Sequence, residues 1–238
     1  MRTRTLAILL AAAVVGVALG LAVALAGRKS QPPLAGVALD KAMPTLPLLD
    51  ERGHATSLAS FRGTVVVLSP SLTFCHEVCP ITSGALQQVQ YDVRRAGLAP
   101  RVTVVEVSVD PWRDHPARLR AYKRLTGVDF RLLTGTVAEL TRFWRFFGVG
   151  FYPTGHGRTF DVSHTDGIFF VDQRGHERIA DIGMPDTHGT LVPRLRRLLG
   201  KTGLKNLVRP SPGWTVADAL ASTGRLLGRR IPEAPLPD

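Results

Sequence analysis

Cys75 and Cys79 are the only cysteines in 238 residues, and they stand four apart in Thr73-Phe74-Cys75-His76-Glu77-Val78-Cys79-Pro80, directly after an apolar run. A chain that keeps its two thiols so close uses them together. Three intervening residues differ from the CxxC turn of thioredoxin-type redox sites, and no second pair exists to complete a tetrahedral zinc site. A closed zinc site is therefore disfavoured. Two soft thiolates suit Cu(I), which tolerates low coordination and accepts an imidazole beside them. The same pair can close to a disulfide, so thiol-disulfide chemistry stays open. His76 is either a further ligand, a cation that raises the thiolate fraction, or a solvent-facing side chain. Glu77 either has an acidic role in the loop or favours the helix start that follows.

Such a loop needs rigid elements on both sides. Residues 64–69 (TVVVLS) form a β-branched run suited to a buried central strand, and Pro80 fits the first turn of a helix. The spacing predicts that helix over 81–96, with Leu86, Val89 and Val93 on one face. Its N-terminal partial charge would favour the thiolate form of both cysteines. A second strand is predicted at 101–109, then a turn Asp110-Pro111-Trp112-Arg113-Asp114-His115-Pro116 with Asp114 as N-cap of a helix ending before Gly127. Asp110, Arg113 and Asp114 read best as an internal salt bridge and cap, with orientation of the metal loop or partner docking as the other reading. A strand at 130–133 and an amphipathic helix at 136–147 follow, and Gly148 ends that helix. Further strands are predicted at 160–163, 167–172 and 177–182, with a turn at Gln173-Arg174-Gly175 and a closing helix over 186–199. Residues 46–49 and 55–58 form a short hairpin. Strands alternating with helices make a thioredoxin-like α/β sandwich.

The ends of the chain differ from its body. The formal charge is +11, but residues 1–29 carry four basic and no acidic residues, 30–193 carry 17 against 16, and 194–238 carry nine against three. A near-neutral body argues against a nucleic-acid groove; basic ends point to an anionic membrane surface. Residues 6–27 are uncharged and apolar between Arg2, Arg4 and Arg28-Lys29. As a helix these 22 residues span roughly 33 Å, enough to cross the hydrocarbon core. Residues 1–29 are accordingly read as a signal anchor, although Ala24-Leu25-Ala26 also resembles a cleavage site. The proline-bearing stretch 30–45 reads as a tether, 46–199 as the folded domain and 200–238 as a basic extension. Within that extension 216–227 is a second amphipathic candidate, either lying on anionic lipid or presenting a charged face to solvent.

With these motifs in order, the chain resembles the Sco/SenC family of membrane-anchored, thioredoxin-like copper chaperones. The resemblance rests on Thr73-x-Cys75-x-x-x-Cys79-Pro80 after a strand, on Ser108-Val109-Asp110-Pro111-x-Arg113-Asp114, and on Val162-x-His164 before Ile168-Phe169-Phe170-Val171-Asp172-x-x-Gly175. It implies a Cu(I) or Cu(II) site made by Cys75, Cys79 and His164, used in assembling the copper centre of a haem-copper (cytochrome c) oxidase. The implied partners are the oxidase copper-centre subunit, a second copper carrier and the membrane, with no nucleic acid and no small-molecule substrate. The implied location is the extracytoplasmic side of the cytoplasmic membrane. The alternative is a thiol-disulfide oxidoreductase in which Cys75 and Cys79 reduce cysteines of an oxidase subunit or copper carrier. Departures from the family pattern fall around the ligands: Pro70-Ser71-Leu72 replaces Phe-Gly-Tyr, His76-Glu77 replaces Pro-Asp between the cysteines, and Ser163 replaces Asp before the histidine.

Overall fold

The computed structural model describes residues 36–75, 79–155, 160–185 and 213–235. Its frame is an eight-stranded mixed sheet with strand order β1-β10-β9-β4-β5-β6-β2-β3. The strands are β1 (Val37–Ala42), β2 (Leu48–Asp50), β3 (Ala55–Thr56), β4 (Val65–Ser71), β5 (Val102–Ser108), β6 (Arg131–Thr134), β9 (Gly167–Val171) and β10 (His176–Ile182). β7 (Phe151–Thr154) and β8 (Asp161–His164) pair separately as a hairpin. The helices are α1 (Cys79–Arg95), α2 (Pro116–Thr126), α3 (Val137–Phe147) and α4 (Val216–Leu227).

β4 lies between β5, to which it runs parallel, and β9, to which it runs antiparallel. All seven of its residues are buried, as its unbroken apolar run predicts for a strand covered on both faces. Successive side chains divide between two cores because strand residues alternate in direction. Val65 and Val67 join Leu86, Val89 and Val93 of α1 and Leu119 and Tyr122 of α2, whereas Val66 and Leu68 join Leu140, Phe143, Trp144 and Phe147 of α3. The sheet is therefore sandwiched, and the α/β architecture agrees with the sequence.

α3 shows the local signals plainly. The Thr136 hydroxyl accepts from the Glu139 amide, the Glu139 carboxylate accepts from the Thr136 amide, and Gly148 closes the helix at φ 73. Thr136→Ala is expected to lower stability by about 1 kcal/mol, read as a shift in the denaturant midpoint.

Several expectations need correction. Within the 30–45 stretch read as a tether, Val37–Ala42 is a strand paired antiparallel with β10. Its own pattern is weak, and pairing at the sheet edge supplies what the sequence lacks. β7 was not foreseen: Pro153 demotes Phe151–Thr154 as a strand, yet a two-strand edge tolerates it. Asp114 is not the N-cap of α2; the His115 side chain accepts from the Arg118 amide instead.

The largest correction concerns the C-terminal extension. α4 does not lie with its apolar side on lipid, because Val216, Ala219, Leu220 and Leu227 are buried in the core shared with α1, while Arg225 stays exposed as the solvent reading has it. Trp214 and Ile231 flank it in the same core. Gly213 leads into it where a Cβ would sit 1.6 Å from the Met184 carbonyl oxygen, so no other residue fits there. The closing helix expected at 186–199 and the basic stretch 194–209 lie outside the described residues. The apolar segment 1–29 is outside them as well; among the described residues no helix is long and apolar enough to cross a membrane.

Candidate metal centre

Strand β4 delivers the chain to the cysteine loop, and α1 begins at Cys79, with Pro80 as its second residue. Both cysteines are present as thiols. The Cys79 amide donates to Cys75 Sγ at 3.3 Å, so the first sulfur caps the helix start. Cys75 is partly exposed, and Cys79 is buried at 1 % exposure. Their electrostatics reverse part of the expectation. The Cys79 thiol is held well above the ordinary thiol range, first by its hydrogen bond to Cys75, then by burial and by the charge of that neighbour. The Cys75 hydrogen bond and burial together outweigh the helix N-terminus at this sulfur. His76 and Glu77 lie outside the described residues.

The loop is anchored from below by Asp114. Its carboxylate accepts from the Thr73 amide (3.1 Å to Oδ2), from the Thr73 hydroxyl (2.5 Å) and from the Ser108 hydroxyl (2.8 Å). Burial nevertheless raises its pKa to about 6, against the lowering effect of those donors. Asp114 therefore orients the cysteine loop, the role that the sequence reading ranked below a helix cap. Asp110 and Arg113 do form the internal salt bridge expected of them, with Nε 2.6 Å from Oδ2.

Beneath the cysteines lies a buried polar chain that the sequence did not reveal. Ser83, one helical turn after Cys79, donates to Glu106 Oε1 at 2.7 Å and sits 2.9 Å from the Tyr122 hydroxyl. Desolvation lifts the Glu106 carboxyl to about 8, so it is neutral at physiological pH, and a charge on it would raise the Cys79 thiol further. The only sequence signal for this group was an acid inside an otherwise apolar strand, VVEVSV.

His164 ends β8, paired with Phe151 across the hairpin. Its side chain is 7 % exposed, with Nδ1 3.2 Å from the Thr165 carbonyl oxygen and 3.4 Å from Asp166 Oδ1. With Nδ1 facing two acceptors, the tautomer that donates from it would leave Nε2 its lone pair for a metal. The structure brings the two cysteines together but does not close them with His164 into one cluster: among the described residues, no group of three His, Cys, Asp or Glu side chains is gathered for a metal ion. The donor types still fit a soft ion, with two sulfurs that become thiolates on binding and one imidazole.

The SCO1/SenC family model matches residues 40–200. A protein of Stutzerimonas stutzeri, named as a candidate copper-binding protein, is 27 % identical over 169 residues, covering 71 % of this chain and 76 % of that one. The mitochondrial SCO2 homolog of Bos taurus is 31 % identical over 132 residues, 54 % of this chain and 49 % of that one, so the chain spans about half its length. Among solved structures, the copper-bound ScoI of Bradyrhizobium japonicum superimposes with a TM-score of 0.54 at 22 % identity, covering 66 % of this chain and 97 % of that one. BsSco, described as having a disulfide switch and as a member of the Sco family of cytochrome c oxidase assembly proteins, superimposes at 0.54 with 19 % identity, covering 75 % of this chain and all of that one. Likeness at these identities establishes the thioredoxin-like Sco fold.

Proposed function

This chain belongs to the SCO1/SenC family, and we propose that it is a copper-binding protein of cytochrome c oxidase assembly, carrying one copper ion on Cys75, Cys79 and His164. The recipient in this reading is the copper-centre subunit of a haem-copper oxidase. Residues 1–29 would hold the domain at the extracytoplasmic face of the cytoplasmic membrane. The observation that carries the reading is the pairing of Cys75 with Cys79 at the start of α1, inside the span matched by the family.

The chemistry follows from the two sulfurs. Copper is cargo here, so each thiol that binds it gives up a proton, and transfer is an exchange of ligands without net redox change. The buried Cys79 thiol resists losing its proton without the metal, which makes the pair a holder of Cu(I) that does not ionise idly. Cys75, the more exposed sulfur, is the one an incoming recipient thiolate can reach.

That same asymmetry favours a second reading, a thiol-disulfide oxidoreductase in which Cys75 attacks and Cys79 resolves the mixed disulfide. The two readings part at His164. The full chain, reduced and anaerobic, is expected to bind one equivalent of Cu(I) against a competing chelator, and His164→Ala to bind it about 10–100-fold more weakly. Thiol-disulfide exchange of His164→Ala should keep the wild-type rate. No competitive Cu(I) binding by the wild type would end the copper reading and leave the redox dithiol.

A further inference from the structure

Among the described residues, the hairpin that bears His164 has no strand pairing with the main sheet, and β7 and β8 pair with each other. Something other than the strand ladder must hold it against the cysteine loop. The turn between β5 and α2 reaches both. Arg113 Nε donates to the fully buried Asp110 at 2.6 Å, which fixes the guanidinium plane. Its Nη1 donates to the Phe160 carbonyl oxygen at 2.8 Å. Its carbon centre lies 4.3 Å from the Phe160 ring and 4.6 Å from the Phe74 ring. Phe74 immediately precedes Cys75, and Phe160 leads directly into the strand that ends at His164.

Two neighbours reinforce the contact. Arg118 lies 4.0 Å from the Phe74 ring and donates to the Thr73 hydroxyl at 2.9 Å, holding the cysteine side. Trp112 packs edge-on against Phe151 and Phe160 at 6.1 and 5.9 Å, holding the hairpin side.

We propose that Arg113 is a positioning residue that sets the separation between the cysteine pair and His164, acting as a flat cation clasped by one aromatic ring from each half of the site. The proposal rests on the reading of Cys75, Cys79 and His164 as the copper ligands. An arginine suits the task because a guanidinium can hydrogen-bond in its plane and stack on its face at once, whereas a lysine ammonium offers neither the fork nor the flat surface. A site built from ligands 85 residues apart (Cys79 to His164) depends on such a clasp, since a displacement of the hairpin removes the nitrogen without disturbing either sulfur.

The test uses the full chain loaded with Cu(I), read by competition against a chelator and by X-ray absorption at the copper edge. Thermal melts confirm that each variant is folded. Arg113→Lys is expected to bind Cu(I) about 10–100-fold more weakly and to lose or lengthen the copper-nitrogen shell while both copper-sulfur contacts stay. Phe160→Leu, which keeps an apolar side chain but removes the ring, should show the same selective change. His164→Ala serves as the reference for a lost nitrogen. If His164→Ala alters the shell and Arg113→Lys and Phe160→Leu leave it as in the wild type, the positioning role is overturned and the copper site stands. Weaker binding of the two variants with an unchanged nitrogen shell also overturns it. If His164→Ala itself changes neither affinity nor shell, the three-ligand site falls and the role of Arg113 falls with it.

Discussion

A chain ended at residue 212 is expected to lose its cooperative fold. The residues removed lie beyond the 40–200 span matched by the family, but they complete one of the two cores. Trp214 and Leu220 are each 1 % exposed, Val216 and Ile231 each 5 %, and Leu227 7 %. Burying side chains of this size stabilises by roughly 1.5–3 kcal/mol apiece. Together they supply about 10 kcal/mol, comparable to the entire stability of an ordinary domain. The end is also tied by polar contacts: Gln88 Nε2 donates to the Ala234 carbonyl oxygen at 2.8 Å, and the Ala234 amide donates to Asp92 at 3.1 Å. Near-ultraviolet circular dichroism during heating should show no sigmoidal transition for the truncated chain. Trp214→Ala, a gentler change, should cost about 3–5 kcal/mol. A truncated chain that melts cooperatively within a few degrees of the full one would show that α4 is peripheral after all.

The second large effect concerns Glu106 and pH. Its carboxyl titrates near 8 in the fold and near 4.5 when exposed, so between those values the folded chain keeps a proton that the unfolded chain releases. Stability from this group is therefore fully present below about pH 4.5 and is lost as pH rises towards 8. The loss is on the order of 3 kcal/mol by neutral pH. Asp114, raised from 3.8 to about 6, adds a slope of the same sign at lower pH. Glu106→Gln carries no titrating proton, while its amide oxygen can still accept from Ser83. Urea midpoints measured from pH 5 to 9 should fall between pH 6 and about 8 for the wild type and level off beyond, while the variant stays nearly level above pH 6. The variant should be the more stable protein above pH 8. Parallel curves would mean that Glu106 is not a buried neutral acid.

Elements with strong local codes agree between sequence and structure. β4 was visible in its unbroken β-branched run, α3 in its capping box and closing glycine, and the turn before β10 in Gln173-Arg174-Gly175. Elements whose stability comes from partners were hidden. β1 is a strand because β10 offers it an edge, and β7 because β8 does. α4 was recognised as an amphipathic helix, but amphipathicity states only that one face needs cover and is silent on whether lipid, solvent or the chain's own core provides it.

For the site, the residue types determined the chemistry: two thiols four apart as a soft-metal or redox pair, with the ordered motifs pointing to His164. Local sequence could do this because sulfur softness, imidazole basicity and loop spacing are properties of a few adjacent residues. Protonation was decided by the tertiary structure alone. The hydrogen bond to Cys75 and then burial keep the Cys79 thiol protonated against the pull of the helix end, and burial makes Glu106 neutral. Tertiary structure also turned Asp114 inward to anchor the cysteine loop and set Arg113 between Phe74 and Phe160. Desolvation and contacts between residues distant in sequence exist only once the chain is packed, and they govern how the two thiols and the imidazole are held.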